Sequence, residues 1–355
     1  MAATTTQIKK PLLSWKQREI LSYIGVTLLG LVVVVIFLMP LGYAAVTAFK
    51  SQEQIRDVTG PLLPSLPSKY NYQGKDYNLY EVPMPDGTRT MALVKAGRES
   101  SEFVDPLNPD AGLVKWEGRW RTLTPKYEFS PFMENFERAW NQISLGKLFV
   151  NTFAIAIWSM IGTLISSILV AYGFARFRFP GKKVLFMILI ATIILPGQVT
   201  LIPQYAFFRA IGWGGTWWPL IIPHFFANAY NVFLLRQYFL GIPRELDEAA
   251  MMDGASPFRI LISVILPQSM PAVTAVAMFH FFWSWNDFYT PLIYLAGKED
   301  LYTISIGLTR FNNVYAVQPG LAMAAALMVV ALPVALFFLA QRQFMQGIVV
   351  TGVEK

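Results

Sequence analysis

The chain contains no cysteine, which removes disulfides and thiolate metal ligands at once. Histidine is nearly as scarce. His224 and His280 are the only two, too few for the compact convergent ligand group of a metal site. The Gly-x-x-x-x-Gly-Lys-Ser/Thr phosphate loop is also missing, so the chain carries no nucleotide-hydrolysing machinery of that kind. No base–nucleophile pairing suggests a hydrolase triad either, so neither an enzyme nor a cofactor is expected. Charge, too, is sparse. Asp, Glu, Lys and Arg make up 14% of the residues, against about a quarter in soluble proteins.

Apolar residues are what the chain has in plenty, at 54% of the total. Its mean hydropathy is +0.43. A membrane-spanning helix needs about 20 mainly apolar residues. Six segments qualify: 23–49, 148–174, 184–208, 217–239, 270–295 and 321–340. The expected fold class is therefore an all-α polytopic membrane protein with six transmembrane helices. The first segment has a basic lead-in (Lys9, Lys10, Lys16, Arg18), as a signal peptide would. Its apolar run far exceeds the roughly 7–15 residues of a signal core, so it is read as a retained span.

A net charge of +7 would suit nucleic acid if it were gathered on one patch, and it is not. The basic residues sort by connection instead. Arg176, Arg178, Lys182 and Lys183 follow the second span, Arg244 and Arg259 lie between the fourth and fifth, and Arg342 and Lys355 follow the sixth. The positive-inside rule then places both termini and the 241–267 loop in the cytoplasm. This gives a cytoplasmic tail (1–22), a first span (23–49), an external insert (50–146), a core (147–340) and a cytoplasmic tail (341–355).

The insert reads as a small β-rich module. Tyr80–Val82 and Thr90–Val94 flank a turn at Pro85-Asp86-Gly87, and Trp116, Trp120, Val114 and Leu123 suggest a second short strand pair. Residues 132–140 read as an amphipathic helix at the membrane surface.

The most informative stretch is Glu248-Ala249-Ala250, then Gly254, then Val264-Ile265-Leu266-Pro267. Pro243 suits a first helical turn, and Glu245, Asp247 and Glu248 suit the positive end of the helix dipole. Gly254 suits a helix end, and the alanines allow another surface to come close. The spacing closely resembles the EAA loop of permease subunits of bacterial ABC importers, with Val264 in place of the usual isoleucine. Spans two to six resemble the maltose-type permeases of carbohydrate importers. The segments that carry this are Ala175–Gly181, Pro196–Pro203, Phe233–Gln237, Ser284–Phe288 and Gln341–Gly347. The departure is the insert, about 68–124, where those permeases usually have a short connection.

The resemblance implies a subunit of the bacterial inner membrane that transports sugar of the maltose or trehalose type. Its implied partners are a second homologous permease, two ATPase subunits and an extracytoplasmic sugar-binding protein, with lipid around it and no nucleic acid. It also implies ATPase coupling through Glu245, Glu248, Ala249, Ala250, Asp253, Gly254, Ala255, Pro257 and Phe258. A charge-assisted contact at Glu248 would be central.

Polar residues within spans usually face the bundle interior or a hydrated path. His224, Asn228 and Asn231 share helical spacing, and His280, Ser284 and Asp287 repeat it. Gln198, Asn228, Asn231, His280, Ser284, Asn286 and Asp287 are thus the candidates for the substrate path. Hydrogen bonds between helices are the competing reading for them. An importer for another solute class is the alternative function. A stand-alone secondary transporter is weaker, since no half-to-half repeat is visible.

Overall fold

The computed structural model describes residues 15–57, 60–313 and 316–349. Two compact units divide the chain, Met1–Phe132 and Met133–Lys355.

The first unit opens with a 34-residue apolar helix, Trp15–Ala48, about 51 Å long at 1.5 Å per residue. Its strands follow: β1 (Ser65–Pro67), β2 (Lys69–Tyr72), β3 (Lys75–Met84), β4 (Gly87–Lys95), β5 (Ser100–Val104), β6 (Val114–Glu117), β7 (Thr124–Pro125) and β8 (Tyr127–Phe129). β2 to β6 lie in sequence order as an antiparallel meander, β7 adds to β3, and β1 pairs with β8. Pro85 and Asp86 make the β3–β4 turn, with Met84 opposite Gly87. Glycine is required there, at φ +127°. Val82, Met91 and Phe103 are sealed in the core, and the Trp116 and Trp120 rings close it edge-on against Phe103 and Tyr80.

Trp120 itself is not on a strand. Gly118 at φ +148° ends β6, and Trp120–Thr122 is a single 3-10 turn held by the Arg119 carbonyl. The alternation of Trp116, Trp120 and Leu123 thus comes from a strand followed by a turn.

The second unit is helical. Glu134–Gln142 is short and amphipathic, and Ser144 in a left-handed conformation separates it from the 32-residue helix Leu145–Arg176. Ala229–Gly241, Met270–Asn286 and Pro319–Val349 are the other principal helices. Three described helices are long and apolar enough to cross a bilayer, or five if each of two bent pairs crosses as one span.

The bends have sequence causes. Lys182–Ile194 and Val199–Ala210 meet at 99°, around Leu195-Pro196-Gly197. Proline there removes a donor and biases its predecessor away from α. Pro257–Gln268 and Met270–Asn286 meet at 82°, with Ser269 between Pro267 and Pro271. Fully buried Ser269 sends its N–H to the Ile265 and Leu266 carbonyls (both 3.0 Å) and its hydroxyl to the Ile265 carbonyl (2.7 Å).

The stretch expected as a fourth continuous span departs most. It runs as Trp218–Ile221, a 3-10 turn at Ile222–Phe225, and only then Ala229–Gly241. Pro219 and Pro223 break the ladder, and Asn228 restarts it by accepting from the Tyr230 and Asn231 N–H groups. The expected fifth span also ends early, at Asn286, with Tyr289–Tyr294 a separate short helix.

Packing in this unit centres on the Leu145–Arg176 helix. Thr152, Ala156, Ser159, Gly162, Thr163 and Ser166 are small and buried along it, which lets other backbones approach. At Gly162 a Cβ would lie 2.5 Å from the Phe225 ring. A Gly162→Leu variant should therefore lower the thermal midpoint of the purified protein, by about 1–3 kcal/mol of overpacking strain. Gly173, in the same helix, has nothing within 4 Å of a built Cβ. Gly173→Ala should leave the midpoint unchanged or raise it.

Candidate functional site

Residues 241–267 fold as a helix–turn–helix. Pro243 stands just ahead of Glu245–Met252, whose first turn holds Glu245, Asp247 and Glu248. The helix closes with two reversed hydrogen bonds, Gly254 N–H to Met251 carbonyl (3.0 Å) and Ala255 N–H to Ala250 carbonyl (2.9 Å). That pairing is the Schellman motif, and it requires the left-handed φ of +79° found at Gly254. Ser256 then caps the next helix, its hydroxyl accepting from the Arg259 N–H, and Pro257 takes a first-turn position. The helix widens to a π-turn at Leu261–Ile265 before Leu266–Gln268.

One side of this loop is buried. Ile260, Leu261 and Ile265 join Tyr172, Ala175, Leu235 and Phe239 in a single apolar cluster, with Ala250 and Ala255 packed against it. The other side is open and carries Glu245, Glu248, Ala249, Asp253, Gly254, Pro257 and Phe258. Met252 is 88% exposed and Phe258 62%, and Met251 is exposed beside them. Exposed methionine and phenylalanine rimmed by carboxylates have the character of a binding surface rather than of a solvated connection. The two alanines therefore split: Ala249 faces out, and Ala250 turns partly into the core.

Two side chains of the Leu145–Arg176 helix, Arg176 and Tyr172, hold the buried side, and neither contact is predicted from sequence. Arg176, the last residue of its helix, has Nε 2.8 Å from Asp247 Oδ2, both side chains under a tenth exposed. This is an ion contact without hydrogen-bond alignment, whereas an Arg176 terminal nitrogen donates to the Ile242 carbonyl at 3.0 Å. Burial pushes the Asp247 carboxyl up from its usual pKa, opposed by the charges of Arg176 and Arg244. One turn earlier, the Tyr172 hydroxyl donates to the Pro257 carbonyl at 3.0 Å. Arg236 donates through Nε to the Phe174 carbonyl at 3.2 Å and lies 4.1 Å from the Phe186 ring centre. The available sequence signal was an Arg closing a long apolar helix, set against an acid three residues before inward-facing Ala250.

The polar candidates elsewhere separate into two groups. His280 lies between helices: Nδ1 is 3.2 Å from the Thr163 hydroxyl and Nε2 is 3.1 Å from the Ser159 hydroxyl. Ser159 also donates to the Ser284 hydroxyl at 3.4 Å. The His224 ring meets the His280 ring edge-on at 4.7 Å, and its carbonyl accepts from Ser166. His280 and Ser284 thus belong to a buried interhelical network. Asn231 is buried too.

The common face expected for His224, Asn228 and Asn231 does not form, because the helix begins only after Asn228, which is its cap. Asp287 likewise lies beyond the helix that carries His280 and Ser284. Its carboxylate accepts from the Thr290 N–H, and its carbonyl accepts from Ser305. Asn286 is exposed, with its amide on the Phe282 carbonyl. The backbone of Gln198 lies in Gly197–Ala210, and its side chain is outside the described residues.

Apolar helices, two pairs of them sharply bent, together with an amphipathic helix–turn–helix between them in sequence, are the features of a membrane transport subunit. The chain belongs to the family of binding-protein-dependent transport system inner membrane components, whose profile matches residues 162–349. It is 29% identical to an osmoprotective compounds uptake permease protein of Synechocystis sp., over 77% of this chain and 92% of that one. It is 28% identical to the alpha-glucoside transport system permease protein of Rhizobium meliloti, over 62% of this chain and 60% of that one. Among solved structures it is similar in fold to a chain of a bacterial ABC transporter involved in the import of the acidic polysaccharide alginate. The TM-score is 0.65 at 18% identity, covering 94% of this chain and 99% of that one.

A network role for His280 has a measurable signature. His280→Ala should lower the thermal midpoint of the detergent-purified protein, each lost interhelical bond contributing about 0.6–2 kcal/mol. Asn286→Ala, which removes only an exposed bond within one helix, should leave it unchanged.

Proposed function

We propose that this chain is the permease subunit of an ATP-driven, binding-protein-dependent importer of sugars. It forms half of the translocation path beside a second homologous permease, with two ATPase subunits and an external sugar-binding protein. The observation that carries this reading is the open side of the 241–267 loop. Its exposed Met251, Met252 and Phe258 lie among Glu245, Glu248 and Asp253, on a frame whose other side is buried. Such a face suits a groove on an ATPase subunit, since the chain lacks a phosphate loop of its own. The alpha-glucoside relative supports the sugar class.

Six crossings follow if the bent pair 182–210 and the helix Met270–Asn286 each cross once and the broken stretch 217–239 passes through as one discontinuous span, its freed backbone groups held within the bundle. The distribution of Lys and Arg then puts 175–183, 241–266 and 341–355 in the cytoplasm and 50–146 outside. The β-rich part of that insert is a contact surface for the docked binding protein or for the external part of the partner permease. ATP-driven closure of the ATPase pair moves the loop and shifts the subunit between inward- and outward-open states. Only a partner with different affinity for the two states can drive such a shift. With His280 and Ser284 engaged between helices, Asn286 and Gln198 become the leading residues for contact with passing solute.

Reconstitution in proteoliposomes with the ATPases, the second permease and the binding protein tests the function. ATP-dependent uptake of a labelled disaccharide is expected. Uptake of a glycerol phosphate or amino acid, with no sugar transported, would replace the sugar assignment. Glu248→Lys and Gly254→Asp should each abolish uptake and weaken ATPase co-purification while the protein still reaches the membrane. Undiminished transport in both variants overturns the docking role.

Topology is tested with single cysteines in this cysteine-free background. An impermeant thiol reagent applied to intact cells should label Ser100→Cys and spare Ser256→Cys, and the opposite pattern reverses the orientation.

A further inference from the structure

We infer that Arg176 and Tyr172 are the grip through which one helix, Leu145–Arg176, receives the movement of the docking loop. This rests on the importer reading above and adds to it the pair of positioning residues that make the loop and that helix move together.

The geometry is specific. Arg176 holds the start of the loop's first helix at two points, the Asp247 carboxylate (2.8 Å) and the Ile242 carbonyl (3.0 Å). Tyr172, one turn back on the same helix, holds the start of the second through the Pro257 carbonyl (3.0 Å). Both arms of the helix–turn–helix are therefore tied to four residues' length of a single helix end. Ile242 and Asp247 lie before Gly254 and Pro257 lies after it, so a load on the exposed face between them acts on both arms together.

Burial adds stiffness. The Arg176 and Asp247 side chains are 6% and 9% exposed, so neither charge can move to water if the pair opens. Leaving one partner buried and alone is strongly unfavourable, which disfavours sliding of the loop against the helix. Tyr172 and Ala175 lie in the same apolar cluster as Ile260, Leu261 and Ile265, so the ties are embedded in packed surface.

The far part of the same helix carries the Ser159 and Thr163 contacts to His280 and the Gly162 contact with Phe225. Movement taken up at Arg176 thus arrives at the interhelical network without crossing a break in the chain. The connection after Arg176 is different, because Phe177 is extended and the next helix begins only after Gly181 at φ +75°.

The test is the ratio of solute transported to ATP hydrolysed, in the complete reconstituted complex. Loss of folded protein lowers both quantities together and leaves their ratio unchanged. Loss of the grip lowers transport alone. Arg176→Asp and Asp247→Arg, made singly, should each cut the ratio by about tenfold or more while ATPase subunits still co-purify. The double exchange should restore much of it. Tyr172→Phe keeps the ring and removes only the hydrogen bond, so its ratio should fall by a smaller factor.

A wild-type ratio in Arg176→Asp or Asp247→Arg overturns the grip. If both single variants fail to assemble, Tyr172→Phe decides, and a wild-type ratio there overturns it too. Failure of the importer reading is distinguishable, because the unmodified complex would then show no ATP-dependent uptake at all.

Discussion

Close approach of backbones along the Leu145–Arg176 helix is the condition for everything else in the second unit. A bilayer offers apolar side chains no gain from leaving lipid for protein, so association there depends on van der Waals fit and hydrogen bonds. This helix supplies both from one face. Gly162 leaves room for the Phe225 ring, Ser159 and Thr163 bracket the His280 imidazole, and Ser166 reaches the His224 carbonyl. Thr152 and Asn151 extend the same face to the opposite end, accepting from the Ile304 N–H and donating to the Asp300 and Tyr302 carbonyls. Bulkier residues on this face would hold the broken segment and the His280 helix apart.

The same logic separates what was readable in the chain from what was not. The 241–267 loop was legible because its determinants are local: a proline ahead of the first turn, acids within it, and a glycine at the helix end. Each acts within a few residues, so spacing alone carries the signal. The membrane polar residues were misread in phase. Extrapolating helical spacing across Pro223 to Asn228, or past Asn286 to Asp287, assumes a continuous helix that the backbone does not form. Ser159 and Thr163 carry no sequence signal, because a lone hydroxyl in an apolar run has no meaning apart from its partner, here His280. Arg176 and Asp247 were each visible, but their pairing depends on how distant segments fold back.

A buried ion pair is poor support for stability, since dehydrating both charges offsets most of their attraction. Its benefit at Arg176 and Asp247 is geometric. Apolar packing around Ile260 and Leu261 tolerates small shifts in register, whereas separating Arg176 from Asp247 would leave each charge buried and alone. Where a surface must be presented to another subunit in one orientation, that intolerance is useful. The exposed face with Met252 and Phe258 owes its pose to contacts on the far side of the same short helices.

Ser269 is flanked two residues away on each side by proline, and neither imide nitrogen can donate. A helix running straight through Pro267 and Pro271 would lack the ladder bonds to the Ser263 and Pro267 carbonyls, so continuity across this point brings little reward. The Ser269 N–H and hydroxyl close instead onto the Ile265 and Leu266 carbonyls, where the two helices meet at 82°. The cost of the change in direction is thus met by the sequence itself, through two imide nitrogens and one buried serine, and not by strain imposed from neighbouring helices.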